Sequence, residues 1–318
     1  MKISKNVSSM LKGLAALFVL INHLIAWGDT FDFNPMVVEM TARFSDLGMF
    51  SFLFISGYGL YVSFSNSGLN DYWEKKVKHI YIPMLFANCI GAIAYNIDQG
   101  QIPKRGDVFR GIVSIVLDYN GIMWYIHYLF VWYFLFWMVE KIVKKKNVQV
   151  IIWIIIAIFM LYMTPETYGL ANEYCLAFPL GVITCITAKS EYFSKKQNVL
   201  LGIFGMIVAV FYFRDGTHSI GGIEVNFFMY CILINVLLMF SFMAIMQLLL
   251  IIEEKQISDP FIKMGNYSLG IYLLQEPVIL YMMKLTNKKS IEIVIIIVGC
   301  GVCILLSNIY KKTVAKIL

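Results

Sequence analysis

Residues 10–27, MLKGLAALFVLINHLIAW, are apolar enough to cross a membrane and yet include a lysine and a histidine. A spanning helix needs about 20 mostly apolar residues, and ionisable groups inside one are costly and usually functional. A helix would place Lys12 and His23 about 16 Å apart along its axis and within about 20° of each other around it, so that both lie on one stripe. The pattern predicts a cation near one membrane face and an imidazole deeper in the membrane, on the same side of the helix. The alternative is a lysine that extends to the surface and a histidine bonded to a neighbouring helix.

The composition of the whole chain agrees with a membrane protein. Of its 318 residues, 59% are hydrophobic and 14% charged, and the mean hydropathy is +0.73. Soluble domains carry about 25% charged residues. We therefore expect an all-α, polytopic, multi-pass protein of the cell membrane, with residues 1–318 forming one transmembrane domain. The formal charge of +6 is explained by membrane topology, so no nucleic-acid partner is expected.

The apolar blocks predict about ten transmembrane helices. They share a length close to the bilayer thickness and cover residues 10–27, 44–64, 77–97, 121–139, 148–163, 171–188, 198–213, 225–252, 261–285 and 290–310. Residues 107–117 are apolar but short, and we expect an interfacial or re-entrant segment there. No cleavage motif follows the first block, so we expect it to be a retained helix.

Lysines are concentrated in alternate loops between these blocks. Positive charges favour the cytoplasmic side, which predicts that both termini are cytoplasmic. The loops assigned to that side include Lys75, Lys76, Lys78; Lys141, Lys144, Lys145, Lys146; and Lys311, Lys312, Lys316.

A basic run, residues 73–83 (WEKKVKHIYIP), leads into the third predicted span. Its basic side chains could hold a phosphorylated ligand such as the nucleotide of coenzyme A: Lys75, Lys76, Lys78 and His79. The alternative is ordinary positive-inside topology with contacts to anionic lipid.

Two further stretches are candidates for lining a channel or an acceptor site. Residues 52–60, FLFISGYGL, contain Ser56 and Tyr58 beside glycines that allow close helix approach. Residues 124–128, WYIHY, open the fourth predicted span, where Trp124 and Tyr125 could stack on sugar rings. Helix packing and an interfacial aromatic belt are the respective alternatives.

The ninth predicted span also carries polar residues. Residues 265–277, GNYSLGIYLLQEP, place Gln275 and Glu276 inside an apolar segment. Gln275, and Tyr272 one turn earlier, are further candidates for lining the channel or acceptor site. An intramembrane glutamate is a candidate site residue. It could orient His23 or pair with Lys12, and a purely structural ion pair is the alternative. The six cysteines lie in apolar blocks and indicate no metal site.

These five stretches, in this order, resemble the acyltransferase-3 family of integral membrane acyltransferases. His23 takes the place of the histidine in the family's Arg-x10-His pattern, and Lys12 stands where arginine is usual. Lys76 and His79 match the two arginines of the basic entrance to the third helix. Gln275 stands where histidine is common, so proton transfer at that position is not expected.

The resemblance implies a catalytic His23 and transfer of an acyl group, most often acetyl, from cytoplasmic acyl-CoA to a hydroxyl of an extracytoplasmic or lipid-linked carbohydrate. Acyl-CoA would be a co-substrate, and no bound cofactor is implied. The expected partners are membrane lipid, acyl-CoA and the carbohydrate acceptor, and a homo-oligomer is left open. A transporter or flippase for a glycan or glycolipid is the alternative that the residues leave open.

Overall fold

The computed structural model describes residues 3–26, 33–99, 124–163, 172–187, 226–254, 259–284 and 292–317, with isolated positions between 200 and 224. The α-helices, in chain order, are α1 (Lys5–Ala26), α2 (Pro35–Ser67), α3 (Tyr72–Lys76), α4 (Ile82–Gln99), α5 (Trp124–Ile142), α6 (Lys146–Met163), α7 (Ala177–Thr187), α8 (Phe227–Glu254), α9 (Asp259–Lys284) and α10 (Glu292–Ile317). A π-helical turn, Val77–Tyr81, joins α3 to α4, and a 3₁₀ turn, Asn172–Tyr174, precedes α7. The strands Ser219–Ile220 and Ile223–Glu224 form a short antiparallel pair.

The described part of the chain is almost entirely helical and strongly apolar. Three of its helices, Lys5–Ala26, Pro35–Ser67 and Phe228–Glu254, are long and apolar enough to cross a membrane. The protein is therefore a helical membrane protein, and the count of ten spans stays a prediction. The predicted segment 107–117 and most of the predicted span 198–213 lie outside the described residues.

Helix α2 begins nine residues before the span predicted for it. Pro35 occupies the first helical turn and the Asn34 side chain accepts a hydrogen bond from the backbone N–H of Met36 at 2.9 Å, which is a typical helix start. The added turns are polar, but Arg43 pairs with Glu39 at 2.8 Å and with Asp46 at 3.0 Å. Because these charges are paired within one helix, α2 can begin in this polar segment and continue without a break into the apolar span.

Close packing of α1 against α9 sets the frame of the bundle. A Cβ atom added to Gly265 would overlap the backbone of Ser9, and one added to Gly13 would overlap that of Gly265 and Phe261. Small residues of this kind let two membrane helices approach at backbone distance. Further along, His23 meets Gln275, so the two helices run parallel.

Two further helices run antiparallel to the neighbours that they contact. Helix α2 is antiparallel to α1, since the Phe18 and Phe44 ring centroids lie 5.0 Å apart and the Tyr58 hydroxyl accepts from the backbone N–H of Ile3 at 3.0 Å. Helix α10 returns along α9, with Ser307 beside Gly270. We name the two ends of the bundle after the residues of α1 that lie towards them, the Lys12 end and the His23 end.

A buried polar network joins α2, α5 and α6 near the Lys12 end. Glu140 is fully buried and accepts a hydrogen bond from Gln149 Nε2 at 2.6 Å, and Gln149 Oε1 accepts from the Tyr61 hydroxyl at 3.2 Å. Trp153 Nε1 lies 3.5 Å from the other Glu140 oxygen. Buried carboxylates are tolerated when hydrogen-bonded, so we assign this network a structural role.

Candidate active site

A cavity of about 180 Å³ lies inside the bundle between α1, α2, the π-helical turn, α5 and α9. It is mainly apolar with a few polar groups, which is typical of ligand sites. Its lining consists of Lys12, Phe52, Ser56, Ile80, Tyr125, Ile126, Leu129, Tyr133, Ser268, Leu269 and Tyr272. The cavity thus brings together Lys12, Ser56, Tyr125 and Tyr272, which the sequence analysis had placed on four separate helices.

Helix direction fixes the orientation of this cavity. Along α9, Ser268 and Leu269 come first and Tyr272 follows one turn later, towards the His23 end. Along α5, which runs the opposite way, Tyr125 lies towards the His23 end and Tyr133 towards the Lys12 end. The cavity therefore extends from a lysine at one end to aromatic rings at the other.

Two lysines meet at the Lys12 end of the cavity. Lys76 Nζ lies 4.6 Å from the centroid of the Tyr133 ring and 5.4 Å from that of Tyr72. Burial, then the nearby charges of Lys12 and Lys75, lower the pKa of Lys76 from its ordinary 10.5 to about 8. Among the described residues, neither Lys12 nor Lys76 forms an ion pair with a carboxylate. Two neighbouring cations without a carboxylate partner make this end a candidate anion site.

Hydroxyl groups are clustered in the middle of the cavity. The phenol groups of Tyr125 and Tyr133 both interact with the side chain of Ser56. All three side chains line the cavity, together with Ser268. Hydroxyls can donate and accept hydrogen bonds, so this cluster can bind the amide or carbonyl groups of an extended ligand.

His23 lies beyond the other end of the cavity. It is half-buried between α1 and α9 and interacts with the side chain of Gln275, which is fully buried. His23 is not among the described residues that line the cavity. Gln275 follows Tyr272 by three residues, so the imidazole lies about one helical turn past the aromatic end. Glu276 is the next residue and is half-buried.

The basic run 73–83 does not act as one cluster. Lys75 is exposed, lies 3.8 Å from Asp71 and donates to the backbone carbonyl of Asn70 at 3.2 Å. Lys76 packs against the rings of Tyr133 and Tyr72, whereas Lys78 and His79 line a second pocket. Lys75 and Lys76 lie on α3, whereas Lys78 and His79 lie in the π-helical turn, whose wider winding changes the face on which its side chains lie.

The second pocket, of about 340 Å³, lies between the π-helical turn, α9 and α10. Its basic lining residues come from two segments, Lys78 and His79 from the turn and Lys311 from α10. Lys311 Nζ donates to the backbone carbonyl of Asn266 at 2.9 Å. Leu269 lines both this pocket and the cavity, so the two lie on either side of one residue of α9.

Besides Gln275, which meets His23, two more predicted lining residues lie outside the cavity. Tyr58 faces the start of α1, where its hydroxyl accepts from the backbone N–H of Ile3. Trp124 is half-buried at the beginning of α5 and contacts the Tyr125 ring edge-on at 6.2 Å between centroids. Neither is among the described residues of the cavity lining.

Three residues that line these sites, and one buried polar residue on α4, were not predicted from the sequence. Tyr133, Ser268 and Lys311 line the cavity or the second pocket. Asn88 on α4 is fully buried, and within the described ranges neither its Oδ1 nor its Nδ2 has a hydrogen-bond partner. A buried amide without a partner costs about 1–3 kcal/mol. Its position in an apolar helix was the signal that could have identified it.

The helices and the cavity define a helical membrane protein with a cationic, hydroxyl-lined site inside its bundle. A family model described as an acyltransferase domain matches residues 9–310. The chain therefore belongs to the acyltransferase-3 family, and the protein is a membrane acyltransferase. Comparisons with curated proteins and with solved structures give no match.

Proposed function

We propose that the protein transfers an acyl group, in the first instance acetyl, from acyl-CoA to a hydroxyl of a carbohydrate on the opposite side of the membrane. The observation that carries this proposal is the lysine pair, Lys12 and Lys76, at the end of a cavity that extends towards His23. The positive-inside pattern assigns the lysine end to the cytoplasm, where acyl-CoA is available.

The cations near the Lys12 end would bind the phosphates of the donor. Ammonium groups act as point charges for phosphate, and charge-assisted hydrogen bonds are about twice as strong as neutral ones. Lys76 and Lys12 are placed for the phosphate nearest the pantetheine arm. Lys78, His79 and Lys311 around the second pocket offer a site for the more distant phosphates of the nucleotide.

The pantetheine arm would occupy the cavity. It is slim and carries two amides, which match the hydroxyls of Ser56, Tyr133 and Ser268 along mostly apolar walls. Its thioester end would then point towards the His23 end. The rise of about 16 Å between Lys12 and His23 along α1 sets the distance that the arm covers.

His23 would act as general base in the transfer. Its imidazole accepts the proton of the acceptor hydroxyl while the oxygen attacks the thioester carbonyl, and coenzyme A leaves as a thiolate that takes up a proton. A positioned base of this kind contributes about 10²- to 10⁴-fold to the rate. Gln275 would hold the ring through its side chain, and Glu276, the next residue on α9, would help to orient it. Direct transfer and an acyl-imidazole intermediate both use this arrangement.

The test uses purified protein in liposomes, with labelled acetyl-CoA on one side and a carbohydrate acceptor on the other. Release of coenzyme A together with label in the acceptor supports the proposal. Movement of the sugar without consumption of acetyl-CoA would indicate a transporter and overturn it. Mass spectrometry of cell-surface glycans with and without the protein then identifies the acceptor.

A further inference from the structure

Three aromatic rings close the cavity on the side of His23. The Tyr125 ring lies 6.1 Å from that of Phe52 and 5.4 Å from that of Tyr272, measured between centroids. The three rings come from α2, α5 and α9, and all three line the cavity. We call Phe52, Tyr125 and Tyr272 the ring closure.

The ring closure lies between the cavity and the imidazole. His23 meets Gln275, one turn past Tyr272 on α9, and is not among the described lining residues. A group that extends from the cavity along α9 towards His23 therefore meets these rings first. Tyr125 contacts Tyr272 nearly edge-on and Phe52 at a tilt, and rings packed in this way leave little space between them.

The position of the closure matters because of the order of groups in an acyl thioester. The nucleotide comes first, then the pantetheine arm, then the sulfur, and the acyl chain is last. With the phosphates at the Lys12 end, the acyl chain is the part that meets the rings. The cavity, at about 180 Å³, is also smaller than the ~300–1,000 Å³ of typical ligand pockets.

We propose that the ring closure formed by Phe52, Tyr125 and Tyr272 selects the acyl donor by chain length and restricts it to short acyl groups such as acetyl. This inference rests on the proposed function and adds to it the residues that set donor specificity. Nothing in it depends on which hydroxyl accepts the acyl group.

The physical basis is steric exclusion by packed rings. One additional methylene in a tight pocket changes the ratio of the two substrates' kcat/KM values by about 10- to 200-fold. Butyryl is two methylenes longer than acetyl, so the wild-type protein should prefer acetyl-CoA to butyryl-CoA by at least about 100-fold in kcat/KM. Removing one ring opens space at the point that the longer chain must pass.

The experiment compares Phe52→Ala with the matched control Phe64→Ala. Both phenylalanines are half-buried on α2, but Phe64 packs against Tyr61 and Phe136 and does not line the cavity. Acetyl-CoA and butyryl-CoA are supplied separately, and kcat/KM is measured for each. Phe52→Ala should lower the acetyl preference at least about tenfold, while Phe64→Ala should leave the ratio as in the wild type.

Two further variants keep the proposal falsifiable if Phe52→Ala folds poorly. Tyr272→Leu removes a second ring and should also lower the preference, whereas Tyr125→Phe keeps its ring and should not. A wild-type ratio in both Phe52→Ala and Tyr272→Leu, with acetyl transfer still measurable, would overturn the role of the ring closure and leave the acyltransferase proposal intact. A wild-type protein that consumes neither donor would overturn both.

Discussion

Replacing Lys76 with alanine should weaken binding of acyl-CoA through loss of one phosphate contact. Lys76 approaches Lys12 at the end of the cavity, and in the described part of the chain it has no carboxylate partner. Its ammonium group is therefore available to an anionic ligand. The same substitution should not disturb the protein's own ion pairs, so its effect on folding should be small.

The magnitude follows from the strength of a hydrogen bond to a charged group. Such a bond contributes about 1.5–3 kcal/mol, and about 1.36 kcal/mol corresponds to a factor of ten. Lys76→Ala should therefore raise KM for acetyl-CoA by about 10- to 150-fold, with a smaller change in kcat because Lys76 lies far from His23 along the bundle. Lys12→Ala should act in the same direction.

The decisive comparison uses a donor without phosphates. S-acetylpantetheine carries the same thioester and lacks the nucleotide, so Lys76→Ala should affect its kcat/KM by less than about twofold. Lys141→Ala is the control, because Lys141 lies near the same end of the bundle, 4.5 Å from the Trp137 ring centroid. Equal losses with both donors, or no loss with acetyl-CoA, would refute the assignment of Lys76 to donor phosphate.

Three further predictions follow from individual contacts. Since the pKa of Lys76 is about 8, its charge is lost as the pH rises through 8, so KM for acyl-CoA should rise between pH 7 and 9. Lys76→Arg, which stays charged, should remove that dependence. Gly265→Ala should cost about 1–3 kcal/mol and reduce activity, whereas Gly301→Ala, where an added Cβ meets nothing within 4 Å, should preserve thermal stability in detergent. Gln149→Ala should lower stability by about 1–3 kcal/mol, because it removes a hydrogen-bond donor from buried Glu140, and an unchanged melting temperature would contradict this.

The features that could be predicted from the sequence are those with a strong local signal. Two ionisable residues in one apolar helix identified α1 and its stripe, and embedded polar groups identified α9. The family assignment also followed from motifs in a fixed order, and the family match over residues 9–310 confirms it. Local signals of this kind are independent of how the helices pack.

The arrangement of the cavity depended on packing, which the sequence encodes less directly. Helix α5 is rich in aromatic residues on every face, so nothing distinguished Tyr133 from the rings that face away. The π-helical turn was also unexpected, and its residues Lys78 and His79 line the second pocket. Ser268 sits on a helix turn where a hydroxyl commonly bonds to the backbone, as it does to the Gly265 carbonyl at 2.9 Å.

Helix ends were the least predictable part of the fold. The paired charges of Arg43, Glu39 and Asp46 extended α2 into a segment that was assigned to a loop because it is polar. In the sixth predicted span, the structure has a 3₁₀ turn followed by the shorter helix α7. Hydropathy measures apolar content, and it does not register charges that neutralise each other within a helix.

Among the residues proposed to act in acyl transfer, His23 is the one whose imidazole the reaction should require. The most direct measurement is the rate at which His23→Ala protein in liposomes moves label from acetyl-CoA to the acceptor hydroxyl, normalised to the amount of folded protein. We expect a loss of at least about 100-fold, as is typical when a general base is removed. Wild-type turnover by His23→Ala, at normal protein level, would contradict it.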